Sequence, residues 1–148
     1  MKILVPVDGS EHALAAVRHA LHLKRKGLQA SFVLATVQEP VYRYEMMLAP
    51  DADVLERVSG AVGSRALAEA EAMFRDAGEP CEREIGSGDP AQTLIEIAGR
   101  HGCEAIIVGA RGLGAVRGAL LGSVSLALLR LSTWPVTVVK HAKANATD

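Results

Sequence analysis

The sequence predicts a doubly wound α/β domain: a five-stranded parallel sheet with helices on both faces, a three-layer α/β/α sandwich. Three observations lead there. Apolar runs of strand length alternate with stretches of helical spacing along the chain. The first run, Ile3–Val7, is apolar throughout, as a strand buried on both faces must be. Glycine, with Asp, Ser or Pro beside it, punctuates most changes of spacing. A chain of 148 residues fits a single domain, 1–148, and no internal repeat divides it.

Each element has its own signal. Ile3–Val7 ends at Asp8-Gly9-Ser10, a turn whose serine can cap a helix. Leu14, Val17 and Leu21 then share one helical face until Gly27 closes the run. Ser31–Val37 is a second apolar strand. Glu39–Asp53, bracketed by Pro40 and Pro50, reads as a long loop or a short irregular helix. From Val54, the series Val58, Val62, Ala66, Ala70 and Phe74 is a helical stripe that Gly78 ends. Cys81–Ile85 reads as a short edge strand with Glu82 and Glu84 on one face, both taken as solvated. Asp89-Pro90 supplies an acidic cap and a first-turn proline to a helix whose inner face is Leu94, Ile95 and Ala98. Ala105–Val108 is a fourth strand, Ser123–Leu131 a helix and Val136–Lys140 a fifth strand; the polar tail after His141 is expected to fray.

Composition excludes several classes of function. Sixteen Lys and Arg against seventeen Asp and Glu give a net charge of −1, which cannot gather phosphate backbones. Aromatic residues at 3% are too few for a base-stacking platform, so a nucleic-acid partner is not expected. Cys81 and Cys103 form no C-x-x-C and read as reduced thiols inside a cell. The apolar stretch before Asp8 is too short for a signal peptide, and no apolar run is long enough to span a membrane. A cytoplasmic location, with no membrane association, is expected.

In doubly wound sheets ligands sit beyond the carboxyl ends of the strands, beside the point where strand order reverses. The richest segment there is the run from Gly109 to Ser123, with glycines at 109, 112, 114, 118 and 122 between a strand and a helix. Glycine lets a ligand approach the peptide amides, and the free N–H groups at a helix start favour an anion. Ser123 adds a hydroxyl. This is phosphate-binding chemistry, although neither the Walker loop nor the Rossmann fingerprint is present.

The spacing Gly109, Gly112, Gly122-Ser123 is G-x2-G-x9-G-[ST], and it resembles the nucleotide-binding motif of the universal stress protein family, in its ATP-binding branch. Val5-Pro6-Val7-Asp8-Gly9-Ser10 resembles the family's opening strand and acidic turn, and Trp134-Pro135-Val136-Thr137-Val138-Val139 its last strand. The resemblance implies an adenine nucleotide alpha-hydrolase-like (Rossmann-like) fold with sheet order 3-2-1-4-5. It implies that Asp8 contacts the ribose or a phosphate-bound Mg²⁺, that Pro6 and Val7 lie along the adenine, and that Thr36 or Val37 offers backbone atoms to its edge. Val108 and Gly109 would pack under the ribose. Gly112, Gly122, Ser123 and Val124 would cradle the phosphates of ATP through their amides, with Ser125 adding a hydroxyl. Gly114 and Gly118 are additional to the motif, and Arg111 and Arg117 either reach the phosphates or face water. A homodimer paired through Val136–Val139 is also implied, in keeping with a last strand that is hydrophobic and lies at the predicted edge.

Other chemistries find less support. A phosphoacceptor Asp8 would want acidic neighbours after the first and third strands, where Ser10-Glu11 and Gly86-Ser87-Gly88 stand. His19 and His22 have metal-ligand spacing on one helix but no third ligand nearby in sequence; His12, His101 and His141 are isolated. Ser123 lacks the G-x-S-x-G elbow of an acyl-transfer nucleophile. No lysine or placed general base stands in the loop, so a nucleotide binder is expected rather than an enzyme. Slow ATP hydrolysis or self-phosphorylation at Ser123 or Ser125, and a ligand-independent scaffold, are the alternatives.

Overall fold

The computed structural model describes residues 1–38, 52–112 and 120–141, with residues 52–62 described by their backbone alone. Strands and helices alternate: β1 (Lys2–Pro6), α1 (Glu11–Arg25), β2 (Ser31–Gln38), α2 (Ala52–Asp76), β3 (Glu82–Ser87), α3 (Pro90–His101), β4 (Ala105–Gly109), α4 (Ser123–Leu131) and β5 (Val136–Val139). Every pairing is parallel and the strand order is β3-β2-β1-β4-β5, as expected. Most of the Glu39–Asp53 segment, the Gly114, Arg117 and Gly118 positions and the tail after His141 lie outside the described residues; Ala52 and Asp53 already belong to α2.

The side-chain period of two explains why the central strands read as unbroken apolar runs. Ile3, Val5 and Val7 of the first strand and its exit pack with Phe32 and Leu34 under α1 and α2. Leu4 packs with Val33, Ala35, Ile106 and Val108 under α3 and α4. In the first layer the rings of Phe32 and Phe74 meet at a 5.4 Å centroid distance and are both wholly buried. Burying a side chain of that size stabilises by about 1.5–3 kcal/mol relative to leaving it exposed.

The helices begin where capping chemistry places them. Ser10 Oγ accepts from Ala13 N–H at 3.2 Å, and Asp89 Oδ2 accepts from Gln92 N–H at 3.0 Å with Pro90 at the first helical position. Gly102, at φ 71°, closes α3 in the left-handed conformation. Both caps set helix starts directly after strand ends, so they also set the rim of the sheet.

β3 is displaced from the expected Cys81–Ile85. Its ladder with β2 starts at Val33↔Glu82 and runs to Gln38↔Ser87, so the strand follows the length of β2 rather than its own apolar run. Glu82 and Glu84 are not simply solvated. Lys2 Nζ donates to Glu82 Oε1 at 2.9 Å, and the His101 ring lies between the two carboxyl groups, 2.9 Å from Glu82 Oε2 and 2.7 Å from Glu84 Oε1. Arg100 donates to Glu84. The hydrogen bonds from Lys2 and His101 hold the Glu82 carboxyl below its ordinary range. These contacts tie the amino ends of β1 and β3 to the last turn of α3.

Candidate functional site

β1 and β4 are neighbours in the sheet, but the chain leaves β1 toward β2 and leaves β4 toward β5. The order therefore reverses between them, and the crevice opens above their carboxyl ends. Asp8 stands on one side, its Oδ1 accepting from Ser10 N–H at 2.9 Å. Gly109 and Gly112 stand on the other. A Cβ on Gly112 would lie 2.6 Å from Asp8 Oδ2, and one on Gly109 would lie 2.4 Å from the backbone carbonyl oxygen of His12. Close approach to helix backbone requires glycine at 109, whereas at 112 the crowding is with the end of the Asp8 side chain, which can shift.

The glycine loop is closed on itself by one carbonyl. Ala110 O accepts from Gly122 N–H at 2.7 Å and from Ser125 Oγ–H at 2.7 Å, while Ala110 N–H donates to Val139 O at 2.8 Å. A Cβ on Gly122 would press against Arg111 Cα at 3.2 Å. Gly122 thus lets the two ends of the loop meet, and its amide is engaged inside the protein. Ser125 is buried, and its hydroxyl is spent on Ala110 O and Gly122 O within the protein rather than offered to the crevice. Ser123 and Val124 occupy the first turn of α4, where N–H groups have no intrahelical acceptor, and the Ser123 side chain is exposed.

A cavity of about 520 Å³ lies between the starts of α3 and α4, lined by Gly88, Asp89, Pro90, Ala91, Ser123, Val124 and Ala127. Its size suits a small organic ligand. Strand alternation sorts the remaining candidates around it. Val37 and Val108 pack in the layer under α3 and α4, on the cavity's side of the sheet, and Pro6 follows Leu4 onto that side. Val7 packs instead under α1 and α2, and Thr36, buried between Ala35 and Val37, points the same way as Val7. Thr36 and Val7 therefore have only backbone atoms to offer the crevice. The wall from Gly88 to Ala91 had no counterpart among the sequence candidates; its signal was Gly88-Asp89-Pro90 directly after a strand, which reads equally as a helix cap.

Charge beside the loop comes from residues far apart in sequence. The rings of His12 and His141 meet edge to face at 5.4 Å. Burial, then His141, then Arg111 push the His12 pKa down, and Asp8 opposes them weakly. His12 Nδ1 is buried without a hydrogen-bond partner. Arg111 is half-buried beside this pair rather than fully exposed. His19 and His22 lie 6.4 Å apart, ring to ring, and among the described residues no group of three His, Cys, Asp or Glu side chains is placed to hold a metal ion.

Fold and crevice together define a doubly wound α/β domain with a glycine-lined crevice at the switch point of its sheet. The model of the universal stress protein family matches residues 1–140, and the chain belongs to that family. Among its relatives is the universal stress protein YxiE of Bacillus subtilis, 28% identical over 94% of this chain and 98% of the relative. Hypothetical protein MJ0577 superposes with a TM-score of 0.80 at 27% identity, covering 96% of each chain. A universal stress protein solved in complex with cAMP superposes with a TM-score of 0.68 at 28% identity, covering 96% of this chain and 98% of that one. The fold is the adenine nucleotide alpha-hydrolase-like one. Among the described residues no helix is long and apolar enough to cross a membrane.

Proposed function

We propose that this protein binds an adenine nucleotide, ATP in the first instance, in the crevice between Asp8 and the glycine loop, and that occupancy alters a signalling or protective surface of a cytoplasmic homodimer during stress. The observation that carries this reading is the pair of approaches at Gly112 and Gly109, where a Cβ would stand 2.6 Å from Asp8 Oδ2 and 2.4 Å from His12 O, so that Asp8 and the start of α1 lie against the loop. Ser123 and Val124 also line the cavity between the starts of α3 and α4, whose wall does not include Asp8, Gly109 or Gly112. A nucleotide would therefore reach from that cavity past the start of α4 to the crevice. The relative solved with cAMP holds a ligand of the same chemical class.

The residues fit a nucleotide in the following way. Ser123 and Val124 offer amides, and Ser123 a hydroxyl, to phosphate oxygens at the start of α4. Pro6, Val37 and Val108 supply an apolar bed, with Val7 and Thr36 contributing backbone alone, the Val7 N–H being already donated to Ala35 O. Gly109, Gly112 and Gly122 supply space. Asp8 Oδ1 accepts from Ser10 N–H, and Mg²⁺ carried with the nucleotide would be held mainly by its phosphates, with Asp8 at the edge of the site.

Binding without efficient turnover is the favoured form. The loop sequence Gly109–Ser123 contains no lysine, carboxylate or histidine, and the Ser125 hydroxyl is committed to Ala110 O, which removes it as an acceptor for self-phosphorylation. Ser123 remains the candidate acceptor for that alternative. Incubation with γ-labelled ATP separates the two: label released or retained on protein establishes turnover. The primary test is mass spectrometry of the ligand carried by natively purified protein, with calorimetric titration of ATP, ADP and AMP. Carried or titratable nucleotide, lost in Gly122→Val, is the expected result. A folded protein that carries none and gives no heat overturns the reading.

A further inference from the structure

Within the cavity of about 520 Å³, Asp89 is the charged member of a lining otherwise made of glycine, proline, alanine, valine and one serine. Its position is set from three directions. Gly88 N–H donates to Gln38 O at 3.0 Å, tying the turn to the carboxyl end of β2 beside Val37. Thr93 N–H donates to Asp89 O at 2.9 Å, and Gln92 N–H to Asp89 Oδ2 at 3.0 Å. Gly88 adopts φ +130°, which only glycine holds without strain, and a Cβ on Gly86 would stand 2.6 Å from Thr93 Cγ2. The turn is thus held close to the sheet and to α3, and the exposed Asp89 carboxylate is anchored at the rim of the cavity through its Oδ2.

One oxygen of that carboxylate caps α3. An ionised carboxylate only accepts hydrogen bonds, so its other oxygen suits a donor. Phosphate oxygens are acceptors and anionic, and like charge keeps them from this wall. The opposite wall, at Ser123 and Val124, carries donors.

We propose that Asp89 is a specificity-determining residue of the cavity between α3 and α4, accepting a hydrogen bond from the nucleoside half of a ligand that extends from there to the glycine loop, through the ribose 2′-hydroxyl or the exocyclic amine of the base. The nucleoside then lies toward the turn between β3 and α3 and the phosphates toward the glycine loop. This assignment rests on the nucleotide reading above and adds to it an orientation and a group that selects the ligand.

The test is calorimetric titration of wild type and Asp89→Asn with ATP, 2′-deoxy-ATP, inosine triphosphate and inorganic tripolyphosphate. Asparagine caps a helix as well as aspartate does, so α3 and the thermal midpoint are retained while the charge is removed. Asp89→Ser, a second capping residue, repeats the measurement without an amide. The expected result is about a tenfold or greater loss of ATP affinity in both variants, the scale of a hydrogen bond to a charged group, with tripolyphosphate unchanged or tighter. The penalty disappears for 2′-deoxy-ATP if the hydroxyl is the partner, and for inosine triphosphate if the amine is. Variants that bind ATP like wild type overturn the assignment, as does a penalty shared by tripolyphosphate or kept in full by both analogues. Wild-type protein that gives no heat with any of the four overturns the nucleotide reading, and this assignment with it.

Discussion

Asp8 and Gly112 meet across the crevice so closely that a Cβ on the glycine would lie 2.6 Å from the carboxylate Oδ2, while Oδ1 of the same group accepts from Ser10 N–H. The neighbouring glycine is crowded in a different way. A Cβ on Gly109 would meet His12 backbone atoms at 2.4 and 2.6 Å and Ala13 N at 3.0 Å. One contact is with the end of a side chain and the other with the backbone of a helix.

That difference predicts opposite phenotypes for two alanine substitutions. Gly112→Ala displaces a carboxylate that can swing aside, so stability falls by less than about 1 kcal/mol, while ATP affinity falls about tenfold through loss of the Asp8 position. Gly109→Ala pushes β4 and α1 apart, and neither backbone can yield locally; a loss of about 2–3 kcal/mol or more is expected, at the upper end for an overpacked core site. Urea unfolding with parallel nucleotide titration of both variants checks this. Equal stability losses would mean that the loop relaxes around both sites alike.

The fold was legible because its information is local. Alternation of apolar strands with helical stripes gave element type and order, and Ser10 and Asp89 announced their helices through capping chemistry that needs only neighbours in sequence. The glycine spacing singled out Gly109 and Gly112, which the structure brings against His12 and Asp8. What escaped was set by packing between distant segments. Nothing near His101 indicates that two carboxyl groups of β3 will take both its ring nitrogens, and nothing near His12 indicates His141. The engagement of the Gly122 amide and Ser125 hydroxyl by Ala110 depends on how the loop closes, which spacing does not encode. α4 reads as apolar almost all round, yet only Leu128 among its leucines is fully buried in the monomer.

His12 makes stability fall on mild acidification. Its folded pKa is lowered, first by burial and then by His141 and Arg111, so below pH 6.5 the unfolded chain binds the proton more readily than the native one. Stability then rises with pH in that window. His12 imposes no penalty above the unfolded value, and the penalty grows as pH falls from about 6.5 through the lower folded pKa. Urea midpoints at pH 7.5, 6.5 and 5.5 should decline, and His12→Asn should flatten the decline. An unchanged slope in the variant would assign the loss to other groups.

Both thiols are predicted to be slow. Burial pushes the Cys103 thiol up, and burial together with Glu71 pushes up that of Cys81. Only the thiolate is nucleophilic. Native protein treated with iodoacetamide at pH 7.5 should therefore alkylate at both sites at least about tenfold more slowly than the urea-unfolded chain, with buried Cys103 the slower of the two. Rapid native labelling of Cys103 would show that the end of α3 opens readily.

The two edges of the sheet are unlike, and the contrast underlies the homodimer reading. β3 carries Glu82, Arg83 and Glu84, charges that discourage pairing with another strand. β5 carries only Val136, Thr137, Val138 and Val139. Pro135 O and Val139 O accept from Ile106 and Ala110 of the neighbouring strand and its exit, so these alternate residues turn their polar groups inward, and Val136 and Val138 turn theirs outward. Beside this edge, α4 leaves Leu126 and Leu129 exposed at 46% and 44%. Val138→Pro removes an outward N–H while leaving the inward ladder intact, a substitution that an edge strand tolerates. Wild type is expected to sediment as a dimer at micromolar concentration. The proline variant is expected to dissociate with a Kd raised about 100-fold or more, since two symmetry-related hydrogen bonds are lost and two rings intrude. Its helical circular dichroism should match that of wild type. Should Leu126→Glu/Leu129→Glu dissociate the dimer while Val138→Pro does not, the copies meet through α4 instead of through a continuous sheet.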